Sequence, residues 1–200
     1  MNLGNKPLIY PQPVLIIATY NEDGTANAMN AAWGGVCDYS KIHIIIDRNH
    51  HTVKNLLEKK AFTVSIADVL RLKESDFFGL VPGKNIPDKV QQAGLTYSKS
   101  ENVDAPVINE YPLTLECKLL NFDNETERVI GEVVNTLADE SILTDGKIDL
   151  AKFRPITYDC VNHHYITLGE KAGNAFSDGK SLVRWVLWER RIYFPSLLSL

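Results

Sequence analysis

"NAMNAAWGGVCDYSKIHIIIDRNHHTVKN" occupies residues 27–55, and its three parts set the reading of the whole chain. The first, "NAMNAAWGG", is made of small residues and amides around a single Trp. The second, "KIHIIID", alternates Ile42, Ile44 and Ile46 against His43, Ile45 and Asp47, the two-residue period of a strand. The third, "RNHHTVKNLLEKK", starts a helix, with Val53, Leu56 and Leu57 expected on one apolar face. First helical turns favour acids, because free N–H groups and the helix dipole make that end electropositive. Here the turn carries Arg48, His50 and His51 and no acid. Asn49 or Thr52 is expected to cap it. Cations at a positive helix end repel one another unless an anion joins them. A phosphate meets that need, since free amides, the Thr52 hydroxyl and the Arg48 guanidinium converge there. A merely solvated helix start is the alternative.

The segment before the strand bears on that choice. Ala26, Ala28, Ala31, Ala32, Gly34 and Gly35 leave backbone amides uncovered, so a flat ligand can lie against the main chain. A strand needed only for core packing carries Val, Ile and Leu there. Asn27 and Asn30 offer donors and acceptors to a heteroaromatic edge. A glycine-marked bulge in a barrel would explain the same residues.

Working outward, residues 14–20 read as a continuous apolar strand, and "NEDG" (21–24) turns it into the strand bearing Asn27. "AFTVSIA" (61–67) alternates as a half-buried strand. "SDFFGLVPG" (75–83) reads as a helix capped by Ser75 or Asp76. "PDKVQQAG" (87–94) reads as one opening on Pro87 and closing on Gly94. Residues 101–111 are expected to be loop. "PLTLECKLLNF" and "ERVIGEVVNTL" pair across "DNET", "DGKID" turns again, "LAKF" forms a short helix, and "YDCVNHHYITLG" supplies the last crossing. Many short strands with few helices define a mainly β, α+β chain with a barrel architecture.

Composition fits one domain with a real core: 200 residues, 44% hydrophobic and 23% charged. A net charge of -4 gives no footprint for nucleic acid or an acidic membrane. The first residues lack a signal-peptide pattern and no apolar run approaches a membrane span, which points to a cytoplasmic protein. Cys37, Cys117 and Cys160 are odd in number and widely spaced, and are expected to be reduced, buried thiols. Residues 1–182 are read as the domain. Residues 183–200 hold two of the three tryptophans and neither a heptad nor a membrane helix, and form an atypical tail.

Other chemistries fit less well. "GLVPGK" (79–84) is one residue short of a phosphate loop, and Asn85 stands where Ser or Thr would hold magnesium. "DCVNHH" (159–164) mixes soft and imidazole ligands, but His163 and His164 would point to opposite faces of a strand. Nothing near Cys37 or Cys117 would depress a thiol pKa. No GxGxxG fingerprint occurs, so a nicotinamide cofactor would dock without a Rossmann domain.

"PVLIIATYNEDGTANAMNAAWGGV", "IIIDRNHHTVKNL", "AFTVSIA" and "FFGLVPGKNIPDKV", in this order and spacing, resemble the flavin reductase-like family of flavoredoxin type. The resemblance covers residues 11–169. It implies an FMN-binding split β-barrel and a homodimer with the flavin at its interface. Backbone groups of Asn30, Ala31, Ala32 and Trp33 would face the isoalloxazine, with Asn27 and Met29 nearby. Asp47, Arg48, Asn49 and Thr52 would hold the ribityl chain and phosphate, while Phe78 and Lys84 cover the flavin from the other side. Ser or Thr, usual near Asn30 and Ala32, is absent here, and Trp33 could equally be a core aromatic. The family chemistry carries a hydride from NADH or NADPH to flavin and electrons onward, so no catalytic side chain and no metal is assigned. Three functions follow: a flavin reductase, a flavoredoxin-like FMN carrier serving a redox partner protein without direct NAD(P)H use, or a non-enzymatic dimeric binder of FMN or another phospholigand.

Overall fold

The computed structural model describes residues 1–83, 86 and 88–182. Strand β1 (Gln12–Pro13) leads into β2 (Leu15–Tyr20) and β3 (Ala26–Ala31), then β4 (Gly34–Asp38) and β5 (Lys41–Ile45). Helix α1 (His51–Lys59) follows, then β6 (Ala61–Ile66), α2 (Leu72–Leu80) and α3 (Lys89–Gln92). After β7 (Tyr97–Lys99) and β8 (Pro106–Ile108) come the long β9 (Leu113–Asp123) and β10 (Arg128–Ala138). Short β11 (Leu143–Thr144) and β12 (Lys147–Ile148) precede β13 (Ile156–Asp159) and β14 (His164–Thr167).

Seven strands form one antiparallel sheet in the order β3-β2-β6-β9-β10-β5-β4. Its two edges, β3 and β4, are consecutive in the chain. The link through Ala32 and Trp33 therefore carries the chain from one edge of the sheet to the other, and the Trp33 carbonyl accepts from the Ile45 amide at 2.8 Å. The sheet is curled into a barrel, as its strand count and short helices suggested, and it is the split form that the resemblance implied.

The concave core holds Leu15, Ile17, Ile42, Ile44, Ile46, Phe62, Val64, Cys117 and Val129, closed by Val53 and Leu56 of α1. Burying each of those two side chains stabilises the helix by about 1.5–3 kcal/mol. A second cluster packs Val14, Ile16, Ala18, Ala26 and Ala28 against Phe78 and Val90 on the other face. The alternation of Ile42, Ile44 and Ile46 is seen as expected, and so is the β9–β10 pairing.

Several local expectations are corrected. Leu57 is exposed, and Asn55 takes the buried place, bonding Thr19 and Asn21. β6 is buried on both faces: Thr63 donates to the Pro106 carbonyl and Ser65 bonds Thr114. α2 begins three residues before Ser75, after a 3-10 turn capped by Asp68, and Ser75 instead meets Tyr111 inside the core. Residues 101–111 contain β8, paired with β7. "LAKF" is a turn rather than a helix. His163 lies in the β13–β14 turn at φ 57, so it does not oppose His164 across a strand. Cys117 is buried, with its thiol pushed up to about 12 by that burial, but Cys37 is exposed. Gly94 closes α3 at φ 75 as expected, whereas Pro87 falls outside the described residues.

Gly131 sits at a β10 bulge opposite Phe62, where a Cβ would overlap the ring at Cζ. Phe62 is fully buried and has nowhere to go. Gly131→Ala should destabilise the protein by about 2 kcal/mol through overpacking, measured by denaturant melts. An unchanged midpoint would show that the core yields there.

Chain contacts separate Met1–Leu168, the barrel, from a second unit, Gly169–Leu200. Its described part ends in a 3-10 turn, Asp178–Leu182, with Asp178 accepting from the Asn174 amide. The expected tail at 183–200 lies outside the described residues.

Candidate functional site

A cavity of about 300 Å³ opens where edge strand β3, the start of α1, the end of α2 and α3 meet. Asn27, Met29 and Asn30 line one wall, Asn49, His50, His51 and Thr52 another, and Phe78 through Gly83 with Lys89 the third.

The start of α1 has no side-chain cap. His50 is the N-cap residue, in extended conformation, and the first turn carries no acid. Neither expected cap acts as one. Asn49 bonds Asp47 through both its amide and its side chain, and the Thr52 hydroxyl accepts from Asn27 Nδ2 at 2.9 Å. The helix therefore presents its positive end to the cavity.

Lys89 is 1% exposed and has no carboxylate partner among the described residues. Its ammonium donates to the carbonyls of Ala28 (2.9 Å) and Phe78 (2.8 Å). This ties β3 to the end of α2. Burial pulls its pKa down to about 8. The carbonyl dipoles offset part of the desolvation cost, and an anion in the cavity would offset more.

Asn30 has a fixed orientation. Its Nδ2 donates to the Ser75 carbonyl (3.0 Å), which can only accept, and to the Tyr165 hydroxyl (3.4 Å), itself donating to Asp76. The Asn30 oxygen is left as an acceptor at the cavity. Burial and Asp76 raise the Tyr165 hydroxyl to about 12, so it keeps its proton. Gly83 passes so close to Asn27 that a Cβ would overlap the amide oxygen, which keeps the 79–83 segment tight over β3.

Of the residues singled out from sequence, Asn27, Met29, Asn30, Asn49, Thr52 and Phe78 come together around this cavity. Ala31 and Ala32 are partly exposed beyond it, and Trp33 is 62% exposed, which rules out a core role for its ring. Asp47 is on the surface. Arg48 is exposed too, its Nε–H bonded to Glu127 at 2.9 Å. Lys84 falls outside the described residues. Sequence reasoning passed over Lys89, a lone cation in a short helix that looks solvated, and counted His51 only among the cations of the helix start. It discarded the phosphate-loop reading of 79–84, while the resemblance placed Phe78 and Lys84, on either side of the 79–83 segment, over the flavin. The glycines at both ends of that segment were the available signal.

The flavin reductase-like domain model matches residues 8–158, so the chain belongs to that family. The fold agrees with solved relatives. Flavoredoxin of Desulfovibrio vulgaris (Miyazaki F) is 36% identical with a TM-score of 0.86, covering 90% of this chain and 99% of its own. Flavoredoxin from Methanosarcina acetivorans is 28% identical with a TM-score of 0.82, covering 91% and 98%. An uncharacterized protein of Aquifex aeolicus is 26% identical over 162 residues, covering 74% of this chain and 81% of that one.

Proposed function

We propose that this protein binds FMN in the β3–α1 cavity and works as a flavin reductase-like oxidoreductase that accepts electrons from NADH or NADPH and passes them on. The observation that carries the reading is the acid-free, uncapped start of α1 opening into a cavity that also contains a buried ammonium. The donor set fits the group: helix amides and a hydroxyl for a phosphate, and Asn27 and Asn30 for a polyol and ring edge. Among the described residues the Arg48 side chain uses only Nε, on Glu127, which leaves its terminal N–H groups for phosphate, with Asp47 and Asn49 shaping the turn. Met29, Phe78 and the main chain of Ala31, Ala32 and Trp33 would shield the ring, and Lys84, outside the described residues, is kept as a proposed contact. When bound, FMN supplies the redox chemistry. The protein orients it, excludes water and sets the charge around it.

We also infer a homodimer in the cytoplasm. Support for the dimer comes from the edge of β4, where Trp33, Val36 (81%) and Tyr39 (87%) are exposed together, a surface that a second copy would cover. Support for the compartment is the three free cysteines, and among the described residues no helix is long and apolar enough to cross a membrane. Residues 1–182 are proposed as the domain, a boundary that falls within the second unit, and 183–200 lie outside the described residues.

A carrier that keeps FMN and never meets NAD(P)H is the second reading, favoured by the two similar flavoredoxins. Anaerobic addition of NADH or NADPH to the FMN-loaded protein distinguishes them. Bleaching of the flavin band within turnover time is the expected result. A band that persists, yet bleaches with a chemical reductant, identifies the carrier.

A further inference from the structure

We propose that His51 accepts a proton when a phosphate-bearing ligand enters the cavity, because hydrogen bonds commit its Nε2 proton to the protein and leave Nδ1 for the ligand. The proposal rests on the flavin reading given above.

The assignment follows from a chain of bonds whose direction is set at its far end. Asp23 is a carboxylate, held below its ordinary range chiefly by the Thr25 hydroxyl, so Thr25 must donate to it, at 2.6 Å. With that proton spent, Thr25 Oγ1 accepts from Asn21 Nδ2 at 2.9 Å. The Asn21 amide is thereby oriented, and its Oδ1 faces both Asn55 Nδ2 and His51 Nε2, each at 2.9 Å. An amide oxygen only accepts, so His51 Nε2 carries a proton. Nδ1 has no partner among the described residues, and His51 lines the cavity beside Thr52.

The surroundings disfavour the charged form of the free imidazole. Burial is the main cause of its lowered pKa, with Lys54 adding to it and Asp23 opposing. The titratable groups facing the site are His50 and Lys54 around α1, Asp23 on the β2–β3 turn and Lys89 from α3. β3 and the 79–83 segment contribute none to its wall. A phosphate dianion reverses this balance: it favours the imidazolium and raises the pKa towards or above neutrality. The proton comes from solvent, and imidazolium and phosphate then form a charge-assisted pair. By linkage, affinity is enhanced below the bound-state pKa and falls as pH rises through it. Below about pH 6 the phosphate itself takes up a proton and the gain ends.

Calorimetric titration of the full chain with FMN and riboflavin, in two buffers of different ionisation enthalpy near about pH 7.5, counts the protons taken up. The expected result is uptake of about half a proton for FMN and none for riboflavin, with FMN affinity rising about five-fold from pH 8 to 6.5. His51→Gln keeps a donor towards Asn21 but cannot titrate, and should remove most of the uptake and flatten most of the profile, leaving only the share of Lys89, whose pKa of about 8 an anion raises. Imidazole nitrogen NMR of the unliganded protein should show the Nε2–H tautomer, which tests the assignment even if the variant misfolds. FMN binding without uptake, uptake undiminished in His51→Gln, or an Nδ1–H tautomer overturns the proposal alone. Failure of both flavins to bind overturns the flavin reading, and the proposal falls with it.

Discussion

Replacing Arg48 by alanine is expected to weaken FMN binding about 10- to 100-fold while leaving riboflavin affinity nearly unchanged. The guanidinium stands one residue before Asn49 in the turn that feeds α1, and Glu127 holds its Nε in place. Orientation by Glu127 leaves the terminal N–H groups without a partner among the described residues, so they can meet a phosphate at low entropic cost for a side chain already pinned. The Arg48–Glu127 pair is itself exposed and contributes little to stability, so the variant should fold normally. Riboflavin is the internal control because it shares the ring and polyol and lacks only the phosphate. Equal losses for the two ligands, or no loss for FMN, would remove Arg48 from the site.

Glu116→Gln is expected to cost about 3 kcal/mol of folding stability. Glu116 lies on β9, facing away from the concave core, and is 1% exposed. Ser100 donates to its Oε1, and Asn102 (2.8 Å) and Asn135 (2.6 Å) both donate to Oε2. A glutamine cannot reproduce this. Its NH2 placed at the Oε2 position meets two amide donors. At Oε1 it meets a serine oxygen whose lone pairs already accept from the Asn102 and Val103 amides. Either way a buried donor is stranded. Burial pushes the Glu116 carboxyl up, but donation by Ser100, Asn135 and Asn102 outweighs it and the net shift is downward. The stabilisation is therefore present above the ordinary glutamate range, near about pH 4.3, and is lost as pH falls through the lower folded value. Denaturant melts should show the gap between wild type and variant narrowing in acid. A constant gap down to acid unfolding would mean that the carboxyl is not ionised in the folded state.

Much of the barrel was legible because it follows from two-residue periods and turn chemistry. The isoleucines of β5, the "NEDG" hairpin and the paired runs of β9 and β10 state their own pairing. What escaped depended on polar groups buried by partners far along the chain. Asn55 reads as solvent-facing until Thr19 and Asn21 are beside it. Ser75 reads as a cap until Tyr111 is found against it inside the core. β8 carries Pro106 and looks like loop until the edge of β7 is supplied. The same holds at the site. The cationic, acid-free start of α1 was visible in sequence. Lys89 was not, because a lysine beside Val90 looks like an ordinary solvated helix face, and only the converging carbonyls of Ala28 and Phe78 show where its ammonium goes.

Titration of the purified, flavin-stripped protein with FMN and with riboflavin, followed by flavin absorbance and fluorescence, tests the central claim most directly. One FMN per chain, bound at least about ten-fold more tightly than riboflavin, is the result expected of a phosphate held at the start of α1. Equal affinity for the two flavins, or no saturable binding of either, would contradict it.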